Sequence, residues 1–260
     1  MNESARKIQE GETIEIFWTG GYDSTFRIVQ LSRCDIVIQP YYLSDKRASE
    51  PYELNAIESI INILQKHSET RCTFRPLIIM DMKKRLENNE ITEIYSRILK
   101  NDFIGSQYDW LARFAIDHKG IELAIHQDDK AILLINKYGK LKKIVDDNIG
   151  DYYVLDKERT EKDIYTLFGN YHLPLADLTK LDMKQYYIQH GYEDVMDKTW
   201  FCHKPIKGKP CGICNPCMYT IEEGMDERFT KSALTRYKIY KKIRQTVLFN
   251  AVYKVYLRIR

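Results

Sequence analysis

The sequence predicts an α/β protein with a doubly wound, mainly parallel sheet and a C-terminal helical region built around cysteines. Three observations carry this prediction. Short apolar runs alternate with amphipathic helical segments over the first 126 residues. A Gly-Gly turn stands between the first apolar run and the first helical segment, and four of the six cysteines fall together between Cys202 and Cys217.

In chain order, "IEIFW" (14–18) reads as a buried strand and residues 23–33 as a helix. "DIVIQPYYL" (35–43) reads as a second strand whose pairing Pro40 limits. Pro51 suits the first turn of the next helix, which places Leu54, Ile57, Ile60, Ile61 and Leu64 on one face. "CTFRPLIIM" is a third strand interrupted at Pro76. Residues 90–100 and 107–119 are helical, Gly120 stops the second of these, and "IELAIH" (121–126) is a fourth strand. "AILLINKYGKLKKIV" reads as a hairpin turning at Tyr138-Gly139. In "LTKLDMKQYYIQHG", Thr179 and Asp182 form a capping box and Gly191 ends the helix. A long helical pattern covers about 227–258, with Tyr237, Tyr240, Leu248, Val252 and Val255 along one face. Three segments result: 1–175 as the α/β domain that carries the Gly-Gly turn, read below as nucleotide-binding, 176–226 as a helical segment that carries the four cysteines, read below as metal-binding, and 227–260 as a basic extension.

Hydrophobic residues at 44% and charged residues at 30% exclude global disorder. The net charge of +3 is uneven: residues 231–260 hold nine Lys/Arg and no acid, leaving 31 basic against 37 acidic residues before them. Such a tail suits a solvated helix face or an acidic partner such as nucleic acid. No apolar run approaches the ~20 residues that a membrane helix needs, and no signal-like apolar stretch follows the first residues. A cytoplasmic protein with no membrane partner is expected.

The turn Thr19-Gly20-Gly21-Tyr22-Asp23-Ser24-Thr25 falls where a strand hands over to a helix. Free N–H groups and the helix dipole attract an anion there, and adjacent glycines let the backbone curl around it. Ser24 and Thr25 can add hydroxyls. Asp23 would repel a bare phosphate but suits one bridged by Mg2+. The pattern is neither a Walker loop nor a dinucleotide fingerprint. It resembles the PP-loop of N-type ATP pyrophosphatases, S-G-G-x-D-S, with Thr19 in the first position. The competing reading is an ordinary turn with Asp23 as a cap.

Cys202, Cys211, Cys214 and Cys217 are spaced C-x8-C-x2-C-x2-C. Four thiolates at that spacing close a tetrahedral shell around Zn2+ with no place for water, which makes the site structural. An iron–sulfur cluster is the rival occupant. His203 is expected to be a neighbour, and Cys34 and Cys72 to be buried apolar fillers.

The turn and the cysteines together resemble the 7-cyano-7-deazaguanine synthase (QueC) family, over most of the chain. "HLPLADLTKLDM" and "KTWFCHKPIKGKPCGIC" are similar to that family's blocks, with Lys180, Thr199 and the four cysteines in matching places. The resemblance implies ATP-dependent activation of the carboxylate of 7-carboxy-7-deazaguanine, release of pyrophosphate, acyl transfer to ammonia to give the amide, and a second ATP-dependent step that dehydrates the amide to the nitrile. It implies that Thr19, Gly20, Gly21, Asp23, Ser24 and Thr25 bind the nucleotide, that Asp23 positions Mg2+, and that Lys180 neutralises developing charge. Family habit implies a homodimer.

The substrate half departs from the family. Its Gln-Arg-His loop is replaced by "YYLSDKRASEPYE", which keeps Arg47 and Glu53 in register. Its Pro-Gly-Arg-Asn becomes "IGSQYDW", which keeps Gly105, and its Glu-Thr-Asp becomes "HQDD", where Asp128 or Asp129 stands in. A divergent member is the expectation. Relatives of this kind occur in anti-phage gene clusters, where a deazaguanine is attached to an amine of a protein or nucleic acid. The rivals are a PP-loop tRNA thiolase or other amide ligase, and a zinc-knuckle nucleic-acid-binding protein with a degenerate nucleotide fold.

Overall fold

The structure, a computed structural model, describes residues 12–82 and 87–244. Two compact units emerge. The larger runs to Asp45 and then over Glu53–Thr199; the smaller comprises Lys46–Tyr52 and the chain from Trp200 onward. No helix among the described residues is long and apolar enough to cross a membrane.

The larger unit is α/β with a parallel central sheet. β1 (Thr13–Phe17) pairs with β2 (Val37–Ser44) on one side and with β5 (Ile121–Glu122) on the other. β3 (Thr73–Phe74) and β4 (Ile78–Asp81) share the position beyond β2, and β8 (Tyr171–His172) lies beyond β5. The order is therefore β3-β2-β1-β5-β8. The ladder of the fourth expected strand is limited to Ile121–Glu122. Between the strands run α1 (Tyr22–Ser32), α2 (Glu50–Leu64), α3 (Asn89–Ile98) and α4 (Gln107–Ala115). Ile14, Ile16, Ile28, Val29, Ile38, Ile57 and Ile60 are all buried, as strand alternation and helical spacing place them.

Pro40 limits pairing on one side only. Opposite β1 the register runs through it, Ile16 to Pro40. On the other side β3 stops at Phe74 and β4 resumes at Ile78, so Pro40 faces the gap around Pro76. The Gln39 amide Nε2 fills that gap by donating to the carbonyls of Pro40 and Pro76, each at 3.2 Å. Two prolines without N–H groups thus meet where the ladder could not form.

The hairpin expected at Tyr138-Gly139 does not form. Lys130–Tyr138 is instead a helix, α5, because Asp129 Oδ1 caps the Ala131 N–H at 2.7 Å. Ala131, Ile132, Leu134 and Ile135 are buried while Leu133 is 58% exposed, which is helical spacing and not strand alternation. Gly139 ends the helix, and β6 (Leu141–Ile144) pairs antiparallel with β7 (Tyr152–Leu155). α6 (Lys162–Phe168), α7 (Lys180–Gln189) and the short α8 (Glu193–Met196) complete the larger unit. α7 has the expected box: Thr179 N–H donates to Asp182 Oδ2 at 2.8 Å, and Asp182 N–H to Thr179 Oγ1 at 3.2 Å.

Arg27 and Glu122 form a buried bidentate pair, at 2.7 and 2.6 Å, with side chains 2% and 1% exposed. Arg27 also donates to the Ile149 carbonyl at 3.0 Å. Removing one partner strands the other charge in the core, so Glu122→Gln is expected to cost about 3–5 kcal/mol in urea unfolding. The double variant Arg27→Met/Glu122→Leu is expected to recover most of that loss.

The smaller unit holds α9 (Asn215–Glu222) and α10 (Lys231–Arg244). Tyr237 in α10 is buried and donates to Glu222 Oε1 at 2.9 Å. The expected continuation through Leu248, Val252 and Val255 lies outside the described residues.

Candidate functional site

The strand order reverses between β1 and β5, and the crevice beyond their carboxyl ends is where open α/β sheets bind ligands. The chain leaves β1 through Trp18-Thr19-Gly20-Gly21 and enters α1 at Tyr22. Gly20 has φ +66°, and a Cβ there would lie 2.8 Å from the Glu53 carbonyl oxygen and 3.2 Å from Ala56 Cβ. Only glycine lets this turn lie against α2. Gly20→Ala is expected to cost at least about 2 kcal/mol, from left-handed strain and overpacking, measured by thermal unfolding. Gly21 is the N-cap of α1 and offers no side-chain acceptor, so the first turn of α1 begins without a side-chain cap.

Asp23 stands in that first turn. Its Oδ2 lies 3.5 Å from Nδ1 of His126, which follows β5. Asp23 Oδ1 and His126 Nδ1 are both out of solvent, and neither has a hydrogen-bond partner among the described residues. The loop before α7 is tied alongside by Gln127 N–H donating to the Leu178 carbonyl at 3.0 Å. This brings Lys180 into the same region, its Nζ 5.7 Å from the Tyr22 ring centroid. Burial opposes charge on His126 and Lys180 repels it, but the Asp23 carboxylate outweighs both and raises the histidine above its ordinary value.

The remaining expected residues are distributed unevenly. Thr19 is exposed and its Oγ1 accepts from Gly21 N–H at 3.4 Å, while Ser24 Oγ donates to the Gly21 carbonyl at 3.5 Å. Thr25 is fully buried, and its hydroxyl accepts the Trp18 indole N–H at 3.0 Å, so it serves the core. Asp128 is exposed, whereas Asp129 caps α5 and accepts from the Tyr108 hydroxyl at 3.3 Å. Burial, with Asp129 and Asp23 nearby, pushes the Tyr108 phenol far up. Gly105 precedes α4, and its carbonyl accepts Tyr108 N–H at 3.2 Å. Glu53 is buried and accepts from the Tyr42 hydroxyl at 2.7 Å. Arg47 belongs to the smaller unit, where its carbonyl accepts Glu50 N–H at 3.1 Å. Sequence reasoning passed over His126, whose only signal was the first letter of "HQDD".

In the smaller unit Cys202, Cys211, Cys214 and Cys217 converge, with all four Sγ atoms within 4.8 Å of one another. Backbone N–H groups point at the sulfurs: Cys211 to Cys202 at 3.2 Å, and Ile213 and Cys214 to Cys211 at 3.4 and 3.3 Å. Such donors stabilise thiolate charge. His203 is exposed and contributes only its backbone N–H, directed at Cys214. Hydrogen bonds from Cys202 and Cys217 hold the Cys214 thiol far below its ordinary value, and the same bond pushes Cys202 up to about 12. One thiolate is easy and four are not, unless a cation binds them. The four sulfurs can hold a metal ion such as zinc. No family model matches this chain, and no curated protein does.

The knuckle is braced within its own unit. Gly212 has φ +82°, and a Cβ there would overlap the Ala233 carbonyl oxygen. Arg236 Nε donates to the Cys211 carbonyl at 2.9 Å, and Trp200 Nε1 to that of Cys202 at 2.8 Å. Trp200 stacks on Tyr52 with centroids 4.7 Å apart.

A separate cavity of about 310 Å³ lies at the amino ends of the strands, lined by Glu12, Glu15, Lys119, Asp146, Tyr152 and His172. It is at the opposite end of the sheet from Asp23. The strand-end crevice is the better candidate site, because there the glycine turn, a carboxylate with one unbonded oxygen, a histidine and a lysine come together.

Proposed function

We propose that this chain is a divergent, 7-cyano-7-deazaguanine synthase-like enzyme of the PP-loop type, acting in the cytoplasm, which uses ATP to adenylate the carboxylate of a deazapurine. The observation that carries the reading is Asp23 Oδ1, buried and without a hydrogen bond in the crevice beside the glycine turn. A buried carboxylate oxygen without a partner is costly unless a ligand supplies one. A divalent cation fits it, since the cation of a bound nucleotide, Mg2+ in the common case, is held by one or two carboxylates together with phosphate oxygens. When bound, Mg2+ supplies charge neutralisation on the phosphates.

The chain's own residues have these parts. The Gly20-Gly21 backbone and the start of α1 hold the pyrophosphate portion, and Lys180 offsets charge as the α–β phosphate bond breaks. The substrate carboxylate oxygen takes the α-phosphorus and pyrophosphate leaves. An amine nitrogen then takes the acyl carbon and AMP leaves with the electron pair of its C–O bond. The amine is ammonia, giving the amide, whose oxygen a second ATP activates so that it leaves on AMP and the nitrile forms, or it is an amine on a protein or nucleic acid, where the amide is the product. The four-cysteine centre is a structural Zn2+ site.

Purified protein is tested with ATP, Mg2+, 7-carboxy-7-deazaguanine and ammonium, following AMP, pyrophosphate and the base by mass spectrometry. Nitrile or amide formation supports the reading. AMP formation that stalls at the adenylate points to another acceptor. No ATP consumption by folded, zinc-loaded protein would favour a nucleic-acid-binding module, with the basic α10 as its contact surface.

A further inference from the structure

Two loops from different strands bring an oxygen donor and a nitrogen donor together at the crevice. Asp23 enters from the β1 side and His126 from the β5 side, and their nearest donor atoms are 3.5 Å apart. That separation is long for a nitrogen–oxygen hydrogen bond. It is close to what two adjacent ligands of one ion show, since bonds of about 2.1 Å set at 90–110° place the donors roughly 3.0–3.4 Å apart. The carboxylate retains a second oxygen, Oδ1, that is buried and unbonded, and His126 Nδ1 is likewise unbonded. One polar atom without a partner would be a local imperfection. Two of them, on side chains from two loops at a topological switch point whose closest atoms are Oδ2 and Nδ1, have a common solution in a shared cation.

We propose that Asp23 and His126 together ligate a divalent first-row transition ion in preference to Mg2+. The donor set selects the ion. Mg2+ takes oxygen and parts with its water reluctantly, whereas an imidazole nitrogen suits transition ions. The inference rests on the nucleotide-binding reading only for the ligands that complete the ion's shell. With Lys180 in the same crevice, the two donors do not make a strongly negative site by themselves. The ion is therefore bound best together with a polyanion, and phosphate oxygens of a nucleotide provide both charge and ligands.

Mn2+ is the probe, added to zinc-loaded, full-length protein with α,β-methylene-ATP and followed by electron paramagnetic resonance. The expected result is bound Mn2+ with a nitrogen coupling in the electron spin echo. That coupling changes its pattern when the protein is grown with 15N-histidine, a measurement that needs no variant. His126→Ala is expected to remove the coupling and weaken Mn2+ binding at least about tenfold. His126→Gln, which keeps a polar group of similar size, is expected to lose the coupling too. Mn2+ bound with phosphorus coupling but no nitrogen coupling would overturn the inference and leave nucleotide binding standing. Nitrogen-coupled Mn2+ indifferent to the nucleotide would uphold the metal site and remove the nucleotide reading. Failure to bind Mn2+ with or without nucleotide would overturn both.

Discussion

Asp23→Ala is expected to reduce release of AMP and pyrophosphate at least about a hundredfold while leaving the melting temperature nearly unchanged. The two halves of this result have separate causes. Activity falls because the substitution removes the carboxylate that would hold a phosphate-bridging cation. Stability is set by opposing terms, the loss of a helix-start acid and of its contact with His126 against relief of an unbonded oxygen. Losing an acid from the first turn of α1 costs about 0.3–1 kcal/mol through the helix dipole. Removing a buried oxygen that has no hydrogen bond relieves about 1–3 kcal/mol. A residue kept for the fold would behave in the opposite way. A clear drop in melting temperature with turnover intact would mean that Asp23 is only a helix-start acid and would remove the proposed function.

Cys217→Ser is expected to unfold the smaller unit. Cys217 is completely buried, and the sulfurs of the other three cysteines lie within 4.8 Å of it and of one another. A structural zinc centre contributes on the order of 10 kcal/mol of apparent binding energy, more than a small unit can lose and remain folded. Wild-type protein is expected to carry about one tightly held zinc per chain. In the variant, zinc should be absent by elemental analysis. The near-ultraviolet signal of Trp200 stacked on Tyr52 should disappear, while far-ultraviolet helix and strand content persists from the larger unit. Visible absorption by the purified protein would identify an iron–sulfur cluster instead, and a stable, metal-free wild type would overturn the structural role.

Much of this architecture was legible in the sequence, for local reasons. Strand alternation and helical spacing report burial directly, so β1, α1, β2 and the capping box of α7 stand within a residue or two of where they were expected. The cysteine spacing is equally local, because two-residue gaps already bring sulfurs together. What escaped was decided by side-chain partners that hydrophobic periodicity does not reveal, some of them distant in sequence. The segment after Asp129 has apolar residues that fit either period, and the Asp129 cap settles it as helix. Arg27 and Glu122, separated by 95 positions, give no hint of each other. Thr25 looked like a hydroxyl for a ligand, and the Trp18 indole turns it inward. His126 becomes meaningful only when the β1–β5 pairing sets it opposite Asp23.

The smaller unit is assembled from pieces that are made at very different times. Lys46–Tyr52 leaves the ribosome early, but the chain it packs with begins only at Trp200. At 5–20 residues per second, Tyr52 waits roughly 7–30 s for the indole on which it stacks. The larger unit has meanwhile been synthesised in full, through Thr199. The four clustered cysteines follow the whole of the larger unit, so metal capture is a late event in biosynthesis, and starvation for metal would leave a finished α/β unit carrying an unclosed tail.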